Sequence, residues 1–287
     1  MQVKHFIWTV LFLSALALSA RAQQNSKSRK LKITGYAEVN GLKMYYEIYG
    51  SGSIPLVLIH GGGSTIETSF GNILPFLSGY GKLIAVELQA HGRTSDRNTP
   101  ESFERDADDV IALLRHLKID KANILGFSDG ACTTLQIAIT HPEIVNKAIL
   151  VSASYKRDGM VLGFFEGLQR ATLDSMPALL KEGYNKVAPD KNHLVVMFEK
   201  DVARRLAFKD RTDDELRSVK VPTLVMASDH DVIRTEHTVQ MAQLIPGAEL
   251  VILPGAHGTL LGEICAVKKG SSLPKITAAL VKEFLQE

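Results

Sequence analysis

The sequence predicts an α/β fold: a mostly parallel sheet with helices on both faces and a helical insertion late in the chain. Three observations carry that prediction. A short continuous apolar run at residues 54–59, an apolar strand-like run at 122–125 and a further strand at 145–152 have the length of strands buried on both faces. Helical stripes and glycine-bearing loops alternate with these runs, which is the rhythm of parallel β-α-β units. The alternation stops between residues 154 and 218 and then resumes. With 287 residues and 45% hydrophobic content, the chain can bury the core of one large domain or of a domain with an insertion.

At the N-terminus, Lys4 and His5 precede an apolar run from Phe6 to Leu18, and Ser19-Ala20-Arg21-Ala22 ends in the small-x-small pattern of a signal peptidase site. The run is short for a membrane span. Residues 1–22 are therefore read as a signal peptide cut before Gln23, residues 23–30 as a solvated leader, and the mature protein as secreted or periplasmic with no stable membrane anchor. Loss of Lys4 and Arg21 leaves basic and acidic residues equal in number, which removes the case for a nucleic-acid partner. Cys132 and Cys265 are too few for a disulfide framework and are read as buried free thiols.

Along the chain, residues 31–50 partly alternate polar and apolar positions around Asn40-Gly41 and read as a hairpin. The buried strand at 54–59 ends in His60-Gly61-Gly62-Gly63-Ser64, followed by helix-like residues to Leu77, a strand at 82–87 and a loop from Gln89 to Ser95. Residues 102–117 form a helix, with Ser102 as its cap and Phe103, Ala107, Val110, Leu113, Leu114 and Leu117 as its apolar stripe. The strand at 122–125 runs into Gly126-Phe127-Ser128-Asp129-Gly130 and then into a helix that Pro142 prevents from continuing. Residues 145–152 make the next strand. Residues 154–218 hold about three helical patches rich in Leu, Met and Phe, read as an inserted cap rather than a pair of ordinary core helices. Strands at 221–227 and 249–253 and helices at 236–244 and 273–285 complete the core, which comprises residues 31–153 and 219–287.

The chemistry begins at Ser128. Strand, Gly-x-Ser-x-Gly and helix in that order form a nucleophile elbow: the glycines allow close backbone approach, and a strained turn exposes the hydroxyl at a helix N-terminus. A serine hydroxyl needs a histidine base, and the base needs an orienting carboxylate. Asp231 and His257 each follow a later strand-like run, in the order Ser, acid, His.

These motifs make the chain from about Thr34 onward resemble a serine hydrolase of the α/β-hydrolase superfamily. That resemblance implies a mostly parallel eight-stranded sheet with an inserted helical cap. His60-Gly61-Gly62 resembles the oxyanion loop, Gln89-Ala90-His91-Gly92-Arg93-Thr94 the loop after the fourth strand, and Pro254-Gly255-Ala256-His257 the histidine turn. Ser228-Asp229-His230-Asp231 resembles the acid turn, which registers Asp231 as the acid and leaves Asp229 as the alternative. The resemblance places the oxyanion donors at the backbone N–H groups of Asp129 and Gly62, with Gly63 as the next candidate. It implies structural roles for His60 and His91. Ser128-Asp129-Gly130 also resembles the elbow of the valacyclovir hydrolase branch, which would give the Asp129 carboxylate a role in recognising the amino group of α-amino acid esters.

The expected activity is hydrolysis of a small to medium carboxylic ester through Ser128, His257 and Asp231, with a small-molecule partner and no cofactor. No histidine pairs with carboxylates or cysteines at metal-ligand spacing, so no metal is expected. The alternatives are an aminoacyl-ester, lactone, amide or C–C bond hydrolase on the same triad, and a non-catalytic binding module of this fold.

Overall fold

A computed structural model describes residues 32–286. The expected signal peptide and leader lie outside the described residues. The chain opens with an antiparallel hairpin, β1 (Lys32–Val39) and β2 (Leu42–Tyr49). Asn40 and Gly41 turn it with φ of 49° and 80°, the positive pair that a two-residue primed turn requires. Then follow β3 (Leu56–Ile59), short helices α1 (Ile66–Phe70) and α2 (Leu74–Leu77), β4 (Leu83–Val86), α3 (Phe103–His116), β5 (Ala122–Phe127), α4 (Asp129–Thr140) and β6 (Val145–Val151). Ser102 caps α3, its Oγ accepting the Arg105 N–H at 3.2 Å, and α4 stops before His141-Pro142 as expected.

The eight strands form one sheet in the order β1-β2-β4-β3-β5-β6-β7-β8, with β7 at Thr223–His230 and β8 at Glu249–Ala256. β1 and β2 pair antiparallel, β2 joins β4 antiparallel, and every later pairing is parallel. The two faces separate by residue parity. Val57, Ile59 and Ile124 pack with Val110, Leu114 and Leu135 of α3 and α4, and with Met241 of α9 (Thr235–Leu244). Leu56, Leu58 and Leu125 pack with Ile66, Phe70 and Leu77, and with Val281 and Phe284 of α10 (Leu273–Gln286). Burial on both faces explains why the central strands read as unbroken apolar runs. Each such Leu or Ile contributes about 1.5–3 kcal/mol of burial free energy.

Between β6 and β7 the described elements are helical: α5 (Phe164–Gln169), α6 (Ala178–Val187), α7 (Leu194–Leu206) and α8 (Asp213–Arg217), with 3-10 turns between some of them. This segment buries little of its own apolar surface. Met176, Tyr184, Leu194 and Met197 gather around Ala90 in a small cluster, whereas α5 buries no residue and Leu179 is 46% exposed. Because the parallel strands run one way, the loops after β3, β5, β6, β7 and β8 collect at one end of the sheet.

Candidate active site

Ser128 sits between β5 and α4 with φ 55° and ψ −117°, a conformation few non-glycine residues adopt. Close packing enforces that turn. A Cβ on Gly126 would lie 2.0 Å from the Gly130 carbonyl oxygen, and one on Gly130 would lie 2.2 Å from the Ile59 carbonyl oxygen. Neither position accepts a side chain without moving backbone, so the strand-to-helix reversal stays tight. The serine is half-buried and can be reached from solvent.

Ser128 Oγ is 3.1 Å from His257 Nε2, and His257 Nδ1 is 2.6 Å from Asp231 Oδ1. A ring nitrogen facing a carboxylate must carry the proton, which leaves Nε2 as the acceptor for the serine hydroxyl. The Phe127 ring lies against the imidazole, with centroids 4.9 Å apart. Asp231 is buried, and burial alone would raise its pKa. Hydrogen bonds from His257, Ser152 and the Ile233 N–H instead hold the carboxyl below its usual value. Ser152, with Oγ 2.6 Å from Asp231 Oδ2 and φ 58° at the end of β6, is a member of this group that the sequence reading did not include. Asp229, the alternative acid, faces elsewhere: its Oδ1 accepts the Gly255 N–H at 2.8 Å and so ties down the turn that carries His257.

The glycine loop separates its two candidate donors. Gly63 N–H is taken by Asp201 Oδ2 at 2.5 Å, whereas neither Gly62 N–H nor Asp129 N–H has an acceptor among the described residues. The loop lies against the elbow, since a Cβ on Gly61 would be 3.2 Å from Ser128 Cβ and one on Gly62 would be 2.8 Å from Asp129 Oδ2. His60 is structural: Nδ1 donates to the Gly61 carbonyl, Nε2 accepts the Leu88 N–H, and burial lowers its pKa to about 3.

The Asp129 carboxylate does not face an open ammonium site. Oδ2 accepts from Arg204 Nη2 at 2.8 Å, and Oδ1 pairs with Arg205 Nη2, both arginines being buried and carried by α7. The amino-group role that the resemblance would give Asp129 is thus opposed by two guanidinium groups from α7. Arg204 also reaches Asp106 at 2.7 Å, Asp201, and Glu101 at 3.5 Å. Burial pushes Glu101 up to about 8, against the lowering effect of Arg204.

His91, read as a structural histidine, has a further role. Its Nδ1 is 2.7 Å from the Gln89 carbonyl and its Nε2 is 3.0 Å from Asp201 Oδ2, so both ring nitrogens donate and the ring is an imidazolium. Burial would depress its pKa, but the adjacent Asp201 carboxylate carries it up to about 9. Asp201 would be raised by burial, but His91 and Arg204 hold it well below the usual carboxylate range. His91, Glu101 and Asp201 lie close enough together to hold a cation. The imidazolium and Arg204 already balance that negative charge, which makes the cluster a poor metal site. Cys132 is buried beneath this web with Sγ 3.3 Å from the Ser154 carbonyl, whereas Cys265 is exposed, contrary to the expectation of two buried thiols.

Comparisons with known proteins agree with this architecture. The chain is 29% identical over 237 residues to the dihydrolipoyllysine-residue acetyltransferase component of the acetoin cleaving system of Pseudomonas putida, covering 77% of this chain and 63% of that protein. The match thus spans less than two thirds of that relative's length. It is 25% identical over 262 residues to the 2-hydroxy-6-oxo-6-(2'-aminophenyl)hexa-2,4-dienoic acid hydrolase of Metapseudomonas resinovorans, covering 83% and 88% of the two chains. The crystal structure of a serine hydrolase involved in carbazole degradation superposes with a TM-score of 0.72 at 22% identity, over 89% of this chain and 99% of that one. The model of the alpha/beta hydrolase family matches residues 56–262, in keeping with the sheet order and the elbow, and the chain belongs to the alpha/beta hydrolase family.

Proposed function

We propose that the protein is a serine hydrolase that cleaves a small to medium carboxylic ester, and that it is exported after cleavage before Gln23. The observation that carries the activity is the continuous hydrogen-bonded line from Ser128 Oγ through His257 to Asp231. His257 Nε2 takes the Ser128 proton as Oγ attacks the ester carbonyl. The amides of Asp129 and Gly62, the two without acceptors, receive the developing oxyanion. His257 then protonates the leaving alcohol, giving an acyl-enzyme. Water, deprotonated by the same imidazole, attacks that ester and releases the acid and free Ser128. Asp231 holds the imidazole tautomer throughout, and Ser152 and Ile233 hold Asp231.

The space above the loop favours an apolar substrate group. Met176 Cε and Leu180 Cδ1 are the atoms nearest to where a Gly63 Cβ would stand, at 3.3 and 3.7 Å, so the helical segment caps the site with methyl groups. Incubation with a fluorophosphonate probe should label the wild type and not Ser128→Ala, and hydrolysis of short p-nitrophenyl esters should follow the same pattern. Labelling that survives the substitution would remove the assignment. In a panel of acyl esters, lactones and aminoacyl esters, the aminoacyl esters should show no preference, since Arg204 and Arg205 occupy the Asp129 carboxylate. N-terminal sequencing of the exported protein checks the cleavage site.

A further inference from the structure

Residues 61–63 are three glycines in succession, a stretch with no side chain of its own to pack and with the greatest backbone freedom a chain can have. An oxyanion donor stabilises a transition state only if it is already in place when charge develops. The loop holds itself in part: the Gly61 carbonyl, on the same peptide unit as the Gly62 N–H, accepts from His60 Nδ1 at 2.8 Å and from the Ser64 N–H at 3.3 Å. The peptide units on either side of it are fixed by two further hydrogen bonds. The unit before it donates from Gly61 N to Ser69 Oγ at 3.4 Å, and the unit after it donates from Gly63 N to Asp201 Oδ2 at 2.5 Å. The first bond is long and the acceptor is neutral. The second is short and the acceptor is a carboxylate, so it is the stronger of the two.

Asp201 itself is fixed from two sides. His91 Nε2 donates to the same oxygen that Gly63 uses, and Arg204 Nη2 donates to the other. The carboxylate therefore has little rotational freedom and projects from α7 onto the loop, where a Cβ on Gly62 would come within 3.4 Å of Oδ2. Its position in the chain matters as much as its chemistry. Asp201 lies 138 residues from Gly63 and belongs to the helical segment, not to the sheet that carries Ser128. The same helix is seated on the sheet domain by Lys200 on Asp96 at 2.6 Å and by Arg204 on Asp106 and Asp129.

We propose that Asp201 is a positioning residue for the hydrolysis: through Gly63 it holds the glycine loop so that the Gly62 amide is preorganised, and it does so only while α7 is seated. The oxyanion site is in this way completed by the helical segment. The inference rests on the serine-hydrolase reading of the site.

The test compares Asp201→Ala, Asp201→Asn and Asp106→Asn. Asparagine keeps an acceptor for the Gly63 N–H. Asp106→Asn weakens the same Arg204 cluster without touching the loop. Losing the anchor of a donor should cost less than the ~10²–10³-fold loss of the donor itself. With a p-nitrophenyl ester, kcat of Asp201→Ala should therefore fall roughly 10- to 100-fold with KM within about twofold, whereas Asp201→Asn and Asp106→Asn should stay within about threefold of wild type. Equal losses in Asp201→Ala and Asp106→Asn, or an unchanged kcat in Asp201→Ala, would overturn the proposal. Should Asp201→Ala fail to fold, a drop of more than tenfold in Asp201→Asn has the same force.

Fluorophosphonate labelling separates this inference from the reading beneath it. A wild type that is not labelled removes the hydrolase assignment, and amide hydrogen exchange over residues 60–65 then judges the anchor alone. Exchange there should be faster in Asp201→Ala than in Asp106→Asn, and equal exchange would end the proposal.

Discussion

The sheet domain and the helical segment between β6 and β7 are held by different forces. The sheet is an apolar sandwich in which alternate residues of β3 and β5 enter one or the other of two large clusters. The helical segment contributes a much smaller apolar cluster and is joined to the sheet domain by buried ion pairs from Arg204 and Arg205 and part-buried ones from Lys200 and Asp201. Apolar contacts are non-directional and tolerate small displacements. Bidentate and charge-assisted contacts are directional, so they specify where α7 sits more sharply than they stabilise it. One region supplies Ser128, His257 and Asp231; the other fixes what surrounds them.

Substitutions can break this contrast. The largest effect is expected at the sheet-borne site, where Ser128→Ala should lower kcat by about 10⁴- to 10⁶-fold with thermal stability unchanged, read by ester hydrolysis and calorimetry. A stability loss comparable to that of a core substitution would show that Ser128 is structural. Next, Arg204→Met leaves the buried Asp106 without its cation, while Asp129 keeps Arg205 and Asp201 keeps His91, and should cost about 3–5 kcal/mol. Leu58→Ala, in the fully apolar layer, should cost about 2–5 kcal/mol. Urea midpoints read both losses, and a loss below about 1 kcal/mol in Arg204→Met would show that the charged contacts do not hold α7. Ser152→Ala removes one of the hydrogen bonds to Asp231 and should cost about 1–3 kcal/mol, seen first as a reduced rate.

The smallest effect is one of pH. His91 has its pKa raised by Asp201 to about 9, above the unfolded value of 6.5, so the pair's contribution is full below about 6.5 and is lost as pH rises through 9. The difference in urea midpoint between wild type and Asp201→Asn should therefore narrow between pH 6.5 and 10. A gap that widens over that interval would assign the proton elsewhere.

The same contrast governs what could be read in advance. Buried strands announce themselves because both faces are apolar, and Ser128 and Asp231 inherit that legibility from the runs they follow, while His257 follows the apolar run of the half-exposed edge strand β8. β7 and β8 extend further than their apolar runs, to His230 and Ala256, because backbone pairing continues through polar residues across an irregularity at Ser228/His230. Asp201, Arg204 and Arg205 gave no comparable signal. Charges on an amphipathic helix ordinarily belong to its solvated face, and only the partners, drawn from four distant stretches around Gly63, His91, Asp106 and Asp129, turn that face inward. Ser152 was hidden for another reason: its role depends on a positive φ at the end of β6, which composition does not encode.

The strand order also bears on how the molecule comes into being during synthesis. β5, β6, β7 and β8 are neighbours in space in the order in which they leave the ribosome, and the elbow emerges well before the imidazole that faces it. His257 follows β8, the strand at the open edge of the sheet, and reaches Ser128 across 129 residues of chain. A nascent or truncated chain ending before residue 249 would present β7 as a bare edge and a serine without its histidine. The imidazole thus comes to face Ser128 only once the final strand docks.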